Sequence, residues 1–195
     1  MDHHIYLASR SPRRAELLQQ LGIRHTVIPS DVDESQFDAE VAGNYVLRLA
    51  TTKARVGMDN IVRQGLPAYP VLAADTTVSV DGRVLGKPEN DDDAHLMLTQ
   101  MSGRWHEVLT GVAVATDRGI SALVSTTRVE MAVLAADEID AYIRSGEPRD
   151  KAGSYGIQGL AGTFIKRIEG SYSGVMGLPI FETAQLLKNA GVRVL

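Results

Sequence analysis

In Tyr6-Leu7-Ala8-Ser9-Arg10-Ser11-Pro12-Arg13-Arg14-Ala15-Glu16-Leu17-Leu18, an apolar run passes through a turn of hydroxyls and guanidinium groups into a segment with helical spacing. Ile5 to Ala8 reads as a strand and Pro12 to Leu21 as a helix. Ser11 is a suitable N-cap, and Pro12 stands where its missing N–H costs nothing. Leu17, Leu18 and Leu21 form an apolar face that ends at Gly22. The first-turn amides then point outward with partial positive charge beside Ser9, Ser11, Arg13 and Arg14, which is an anion-binding layout. Arginines in a first turn oppose the helix dipole, so their placement calls for a compensating anion. His25 to Ile28 supplies a second strand, and a strand–helix–strand opening indicates an α/β fold.

Beyond an acidic turn, Asp31-Val32-Asp33-Glu34, a helix is expected over Asn44 to Arg55 with Val46, Leu49, Ala50 and Ala54 on its apolar stripe. Lys53 falls on the same stripe, and periodicity alone reads it as a packed stem with its ammonium reaching solvent. Val71 to Val80 is a strand, turned at Asp81-Gly82 into Arg83 to Leu85. Asp75 in that strand needs either a solvated face, shared with Thr77 and Ser79, or a cationic or metal partner. Asp91 to Met101 is a helix, and its three leading aspartates read as dipole-stabilising rather than metal-binding. Trp105 to Thr116 and Ile120 to Val133 form a hairpin, and Asp137 to Arg144 a short helix capped near Asp137. Ser145 to Gly162 is a glycine-punctuated, structured loop carrying Asp150, Lys151, Tyr155 and Gln158. Phe164 to Ile168, a helix from Leu178 or Pro179 to Asn189, and a last strand over Val192 to Leu195 complete the series, with no repeat or linker.

The chain has 195 residues, 44% hydrophobic and 23% charged, enough for a substantial core. A net charge of −4 argues against a general nucleic-acid or membrane-surface binder. The absence of cysteine removes disulfides, thiolate catalysis and cysteine-ligated metals. No signal-like or membrane-spanning apolar run is present, so the expected location is the cytoplasm. P-loop, dinucleotide-fingerprint, zincin and nucleophile-elbow motifs are all missing. His3 and His4 fall at a mobile terminus, and His25, His95 and His106 are isolated. All five read as surface or satisfied residues.

What remains is a set of hydroxyls and cations at element ends, Ser9, Ser11, Arg13, Arg14, Lys53, Lys87 and Lys151, and the carboxylates Glu34, Asp75 and Asp150. Phosphate chemistry needs this division: cations neutralise a polyphosphate, and carboxylates hold a metal or accept a proton from water. Leu7 to Arg14, Ala73-Ala74-Asp75-Thr76, Gly86-Lys87-Pro88, Ser102-Gly103 and Asp150 to Gly159 together resemble, in order, the Maf family of nucleoside triphosphate pyrophosphatases. The resemblance implies a mixed α/β fold, a twisted central sheet with flanking helices and a deep cleft similar to that of the inosine triphosphate pyrophosphatases. Residues 1–195 would form one domain with two lobes. It further implies a cytoplasmic, homodimeric enzyme that uses a divalent metal, Mg²⁺ or Mn²⁺, to cleave a nucleoside triphosphate into the monophosphate and pyrophosphate. By motif, Asp75 is the expected proton acceptor, and Glu34 joins it near the metal. Ser9, Ser11, Arg13, Arg14, Lys53, Lys87, Asp150 and Lys151 are expected to bind substrate. Arg13, Thr76 and Gln158 match the positions linked with selectivity for dTTP and UTP. The alternatives are the same reaction on 7-methyl-GTP or noncanonical nucleotides, and a nucleotide-binding regulator of septum formation.

Overall fold

The computed structural model describes residues 4–194. β1 (His4–Leu7) leads into α1 (Pro12–Gln20), β2 (Arg24–Val27) and α2 (Ala42–Arg63), then the hairpin of β3 (Val71–Val80) and β4 (Arg83–Leu85) and α3 (Asp91–Met101). β5 (Trp105–Thr116) and β6 (Gly119–Met131) form the long hairpin. α4 (Ala136–Arg144), three short 3-10 turns between Glu147 and Phe164, β7 (Ile165–Glu169), α5 (Tyr172–Met176) and α6 (Ile180–Asn189) follow.

These strands build one mixed seven-stranded sheet in the order β2-β1-β3-β5-β6-β7, with β4 beside the far end of β3. β1 is parallel to β2 and to β3, on opposite sides, while the pairs from β3 through β7 are antiparallel. Pairing of β1 with β3 stops at Leu7↔Leu72, and β4 begins only at Val78. Residues 73–77 of β3 therefore have no strand along one edge, at the carboxyl end of β1. That end is where strand order reverses, the position at which open α/β sheets form a ligand crevice.

Both faces of the sheet centre are covered, as the apolar character of β3 requires. Ile5, Leu7, Leu72, Ala74, Val112 and Val114 pack with Leu17 and Leu18 of α1 and Leu186 and Leu187 of α6. The alternate residues Tyr6, Ala8, Val71, Ala73, Ala113 and Ala115 pack with Ala50, Ala54 and Ile61 of α2. A further core, including Leu98, Met101, Val129, Met131, Ile139 and Tyr142, joins α3 and α4 to the outer hairpin. Small residues on the α2 face let the helix lie close. A Cβ on Gly111 would overlap the Val46 backbone, and one on Gly57 would come within 2.8 Å of Val71 Cγ1.

Several boundaries differ from the expectations. α2 runs beyond Asn44–Arg55 at both ends, continuing through Gly57 because that glycine serves helix–sheet contact rather than termination. α4 starts from Ala135, whose N–H donates to Glu138 Oε2, so Asp137 lies inside the first turn. No strand follows α6 among the described residues. Val192 folds back with its N–H on Leu187 O and, with Val194, enters the core, while Leu195 lies outside the described residues. His4 is held in β1 and bonds Thr26 Oγ1 at 2.9 Å, whereas His3 lies outside the described residues. The helix α5, unanticipated from sequence, is one turn long with Ser171 Oγ accepting from Gly174 N. Across the described residues no helix is long and apolar enough to cross a membrane.

Candidate active site

A cleft of about 620 Å³ opens at the uncovered edge of β3. Its floor is set by strand alternation: successive side chains on β3 leave opposite faces, so Asp75 points toward α2 and Thr76 toward α1 and α5. The site wraps around one strand edge.

On the α2 face, Lys53 Nζ lies 2.6 Å from Asp75 Oδ1 and 2.6 Å from Glu34 Oε1. The expectation that the Lys53 ammonium reaches solvent is overturned, since the residue is 8% exposed. The solvated-face reading of Asp75 fails too, because Asp75, Thr77 and Ser79 are all buried. The aspartate is tolerated in a central strand because a cation meets it. Burial pushes the Asp75 carboxyl above its ordinary value, and the charges of Lys53 and Arg14 only partly offset it. Burial also acts to raise Glu34, but its hydrogen bond and charge pairing with Lys53 prevail and hold it low. The adjacent carboxylates thus differ in proton affinity.

Glu34 sits on the segment between β2 and α2, anchored by α2 itself. Tyr45 donates to Glu34 O at 2.9 Å. Arg48 grips Glu40 through both carboxylate oxygens at 2.7 Å, donates to Ser35 O, and stacks 3.9 Å over Phe37. Neither Tyr45 nor Arg48 was singled out from sequence. Each lies on the solvent side of the helical stripe, and its role exists only once the segment folds over it.

On the other face, Arg14 donates Nε–H to Gly177 O at 2.8 Å, Nη1–H to Ser9 Oγ at 3.0 Å and Nη2–H to Thr76 Oγ1 at 3.1 Å. Burial lowers its pKa. Arg14 is therefore committed to the protein on three sides, whereas Arg13, also in the lining, is half-buried at the opening. Ser11 takes the N-cap position of α1 without capping through its side chain, and its N–H is received by Ser9 Oγ at 3.2 Å. Ser11 and the first-turn residues Pro12 to Arg14 all line the cleft.

Lys87, on the loop between β4 and α3, is exposed in the wall and contributes to holding Glu34 low. Lys151 Nζ donates to Asp150 Oδ1 at 2.6 Å and Glu147 O at 2.7 Å, closing the far wall. Glu147 organises that loop: its carboxylate accepts from Tyr142 OH at 2.9 Å and Leu160 N at 2.8 Å. Tyr155 lines the cleft with its hydroxyl 2.7 Å from buried His106 Nε2. Gln158 stands on the exposed tip of the same loop, outside the cleft lining, because the turn closing on Glu147 carries it outward. The other expected residues, Ser9, Ser11, Arg13, Arg14, Glu34, Lys53, Asp75, Thr76, Lys87, Asp150 and Lys151, come together in one wall or the other.

Six cationic side chains and four carboxylates line the cleft, an excess of two positive charges in a chain of net charge −4. Such a concavity concentrates anions against the overall field. No group of three or more His, Cys, Asp or Glu able to hold a metal by itself occurs among the described residues. Asp75 and Glu34, however, converge on the single point taken by the Lys53 ammonium. One or two carboxylates completed by phosphate oxygens and water are the usual donor set for Mg²⁺, so the residues fit a metal that arrives with a phosphate ligand. At the start of α3, Asn90 Oδ1 caps by accepting from Asp93 N at 2.9 Å, Asp93 Oδ2 accepts from Glu89 N at 3.0 Å, and Asp91 Oδ1 lies 3.6 Å from Arg149 Nε.

A family model described as Maf-like protein matches residues 4–190. The chain is 64% identical over 192 residues to the dTTP/UTP pyrophosphatase of Methylobacillus flagellatus, covering 97% of this chain and 94% of that protein. It is 55% identical over 198 residues to the dTTP/UTP pyrophosphatase of Bordetella avium, covering 98% of each. It is 50% identical over 198 residues to the protein of the same description from Nitrosomonas europaea, covering 97% of this chain and 96% of that one. Similarity that extends from β1 through α6, and so includes both walls of the cleft, is far more than a shared phosphate-binding turn: the chain belongs to the Maf family.

Proposed function

We propose that this protein is a nucleoside triphosphate pyrophosphatase that hydrolyses dTTP and UTP to the nucleoside monophosphate and pyrophosphate. The observation that carries the reading is the buried Asp75, raised in proton affinity and held by Lys53, at the floor of a cleft with excess positive charge. The descriptions of the Methylobacillus and Bordetella relatives support the choice of substrate.

In this mechanism the first-turn amides of α1, Ser9, Ser11 and Arg13 receive phosphate oxygens, and Lys87 and Lys151 meet the chain from the opposite wall. Phosphate competes with Asp150 for the Lys151 ammonium. Asp75 takes a proton from a water whose oxygen bonds to the α-phosphorus, while the bond from that phosphorus to the bridging oxygen breaks and its electron pair leaves with pyrophosphate. Lys53 orients Asp75 and Glu34, while Arg14, fixed by three protein acceptors, presents its charge without needing to reorganise. Asp75 and Glu34 would hold Mg²⁺ or Mn²⁺, which when bound supplies charge neutralisation and polarisation of the phosphate. Arg13 at the opening, and Thr76 through its bond to Arg14, are proposed to set base preference, with the Gln158 amide, a donor and an acceptor, reaching a pyrimidine edge only if its loop moves toward the cleft. The same reading places the enzyme in the cytoplasm, as a homodimer of one-domain chains.

The test is a panel of nucleoside triphosphates with pyrophosphate detection, run with wild type and Asp75→Asn. Wild type is expected to prefer dTTP and UTP, and the variant to lose about 10²–10⁴-fold in kcat, the usual contribution of a general base. Preference for 7-methyl-GTP would replace the substrate assignment. Tight nucleotide binding without pyrophosphate release would replace hydrolysis with a regulatory role.

A further inference from the structure

We propose that Thr110, which is absent from the cleft lining, is a positioning residue whose hydroxyl orders a one-way hydrogen-bond circuit holding Arg14 in the site. Thr110 lies on β5 directly across from Thr76 on β3 and is 0% exposed. Its Oγ1 is 2.8 Å from Gly174 O and 2.9 Å from Thr76 Oγ1.

Proton counting removes the ambiguity of the two hydroxyls. A carbonyl oxygen only accepts, so the single Thr110 proton goes to Gly174 O. Thr110 Oγ1 must then accept from Thr76, whose own proton is thereby spent. A guanidinium only donates, so Thr76 Oγ1 accepts from Arg14 Nη2. The polarity runs from Arg14 through Thr76 and Thr110 into the backbone of α5. Arg14 Nε–H meets the same segment again at Gly177 O, which closes the circuit. Gly177 adopts φ +111°, and a Cβ there would lie 3.5 Å from both Arg14 Nε and Thr76 Oγ1, so the segment passes close to the pair it anchors. Bonds aligned in one direction within a dry interior reinforce one another, and the charged end is the member that faces substrate.

Two consequences separate this arrangement from ordinary packing. Thr76 has no proton left for a ligand, so its influence on substrate runs through Arg14. Thr110, without touching the cleft, must then be coupled to Thr76. Valine at position 110 keeps the branched shape and removes the acceptor, freeing the Thr76 proton to turn against Arg14. Serine keeps the hydroxyl and loses only the methyl group.

The kinetic part of the test rests on the pyrophosphatase reading, so an activity-independent measurement accompanies it. In ¹⁵N-labelled protein without nucleotide, the Arg14 Nε–H signal is expected to exchange with solvent at least about tenfold more slowly than that of the exposed Arg10, and Thr110→Val to remove that protection while Thr110→Ser keeps it. With dTTP and UTP, Thr110→Val is expected to raise KM about tenfold, the scale of one lost hydrogen bond to a charged group, and Thr110→Ser to restore it. Thr76→Val combined with Thr110→Val should be no worse than Thr76→Val alone, since one broken link opens the circuit. Additive effects, a serine variant as impaired as the valine one, or an Arg14 signal as fast as that of Arg10 in wild type would overturn the proposal. If Thr110→Val does not fold, the wild-type signal and the serine variant still decide it. If wild type releases pyrophosphate from no nucleotide, the functional reading falls while the exchange measurement stands on its own.

Discussion

His106 gives this protein a built-in sensitivity to mild acid that can be calculated from its surroundings. The ring is 2% exposed, Nε2 bonds the Tyr155 hydroxyl, and Nδ1 has no hydrogen-bond partner. Burial pushes its pKa from 6.5 down to about 4. In the unfolded chain the ring takes a proton below about 6.5, whereas the folded protein refuses it until about 4. The unfolded state therefore binds more protons across that window, and stability must fall as pH falls through it. Full passage is worth about 3 kcal/mol at 1.36 kcal/mol per pH unit, and about 2–3 kcal/mol is spent by pH 4.5. The assay is urea unfolding at pH 7.5 and pH 4.5 for wild type and His106→Gln, which keeps a polar partner for Tyr155 without titrating. Other groups contribute to the pH dependence of both proteins, so the difference of differences isolates His106. Wild type should lose about 2–3 kcal/mol more than the variant on acidification. Parallel losses within about 0.5 kcal/mol, or a His106 ring signal that titrates near pH 6.5, would refute the reasoning. Because Tyr155 lines the cleft, the same acidification should weaken substrate binding before global unfolding.

Two other expectations address the opposite side of the site. Asp75 is raised by burial, so kcat/KM should fall as pH drops through a limb lying above the ordinary carboxylate range, and Lys53→Met should move that limb to still higher pH by removing the charge that opposes burial; a pH–rate profile of each protein checks this. Gly111→Ala places a Cβ against the Val46 backbone, where no flexible side chain can yield, so α2 must lift. Overpacking of this kind costs about 1–3 kcal/mol. A thermal melt should show the loss, and kcat should fall with it because α2 carries Lys53.

Periodicity and turn chemistry were sufficient for most elements. The α1 opening, the β3–β4 turn with positive φ at Asp81 and Gly82, and the β5–β6 hairpin all follow from local rules. Local rules failed where a residue serves a distant contact: the helix expected to end at Arg55 continues through Gly57, which makes room for Val71, and Val192 and Val194 read as a strand but fill a core beneath α6. The basic turn at the start of α1 was legible as an anion-site candidate because its hydroxyls, amides and arginines are neighbours in the chain. The motifs of a known family made Asp75, Lys87 and Lys151 legible as a set, although nothing local says that they meet.

The sequence by itself determined that a basic turn caps the first helix, that an aspartate interrupts an apolar strand, and that the family is Maf-like. Only the tertiary structure decided how those charges divide. Lys53 turned out to be the buried counterion of Asp75 and Glu34, not a snorkelling surface lysine, and Arg14 became a clamped cation while Arg13 stayed at the opening. The physical reason is that burial and pairing are set by which elements face one another across the free edge of β3. Alternation sends Asp75 and Thr76 to opposite faces, and only the placement of α2 on one face and of α1 and α5 on the other supplies each with its partner.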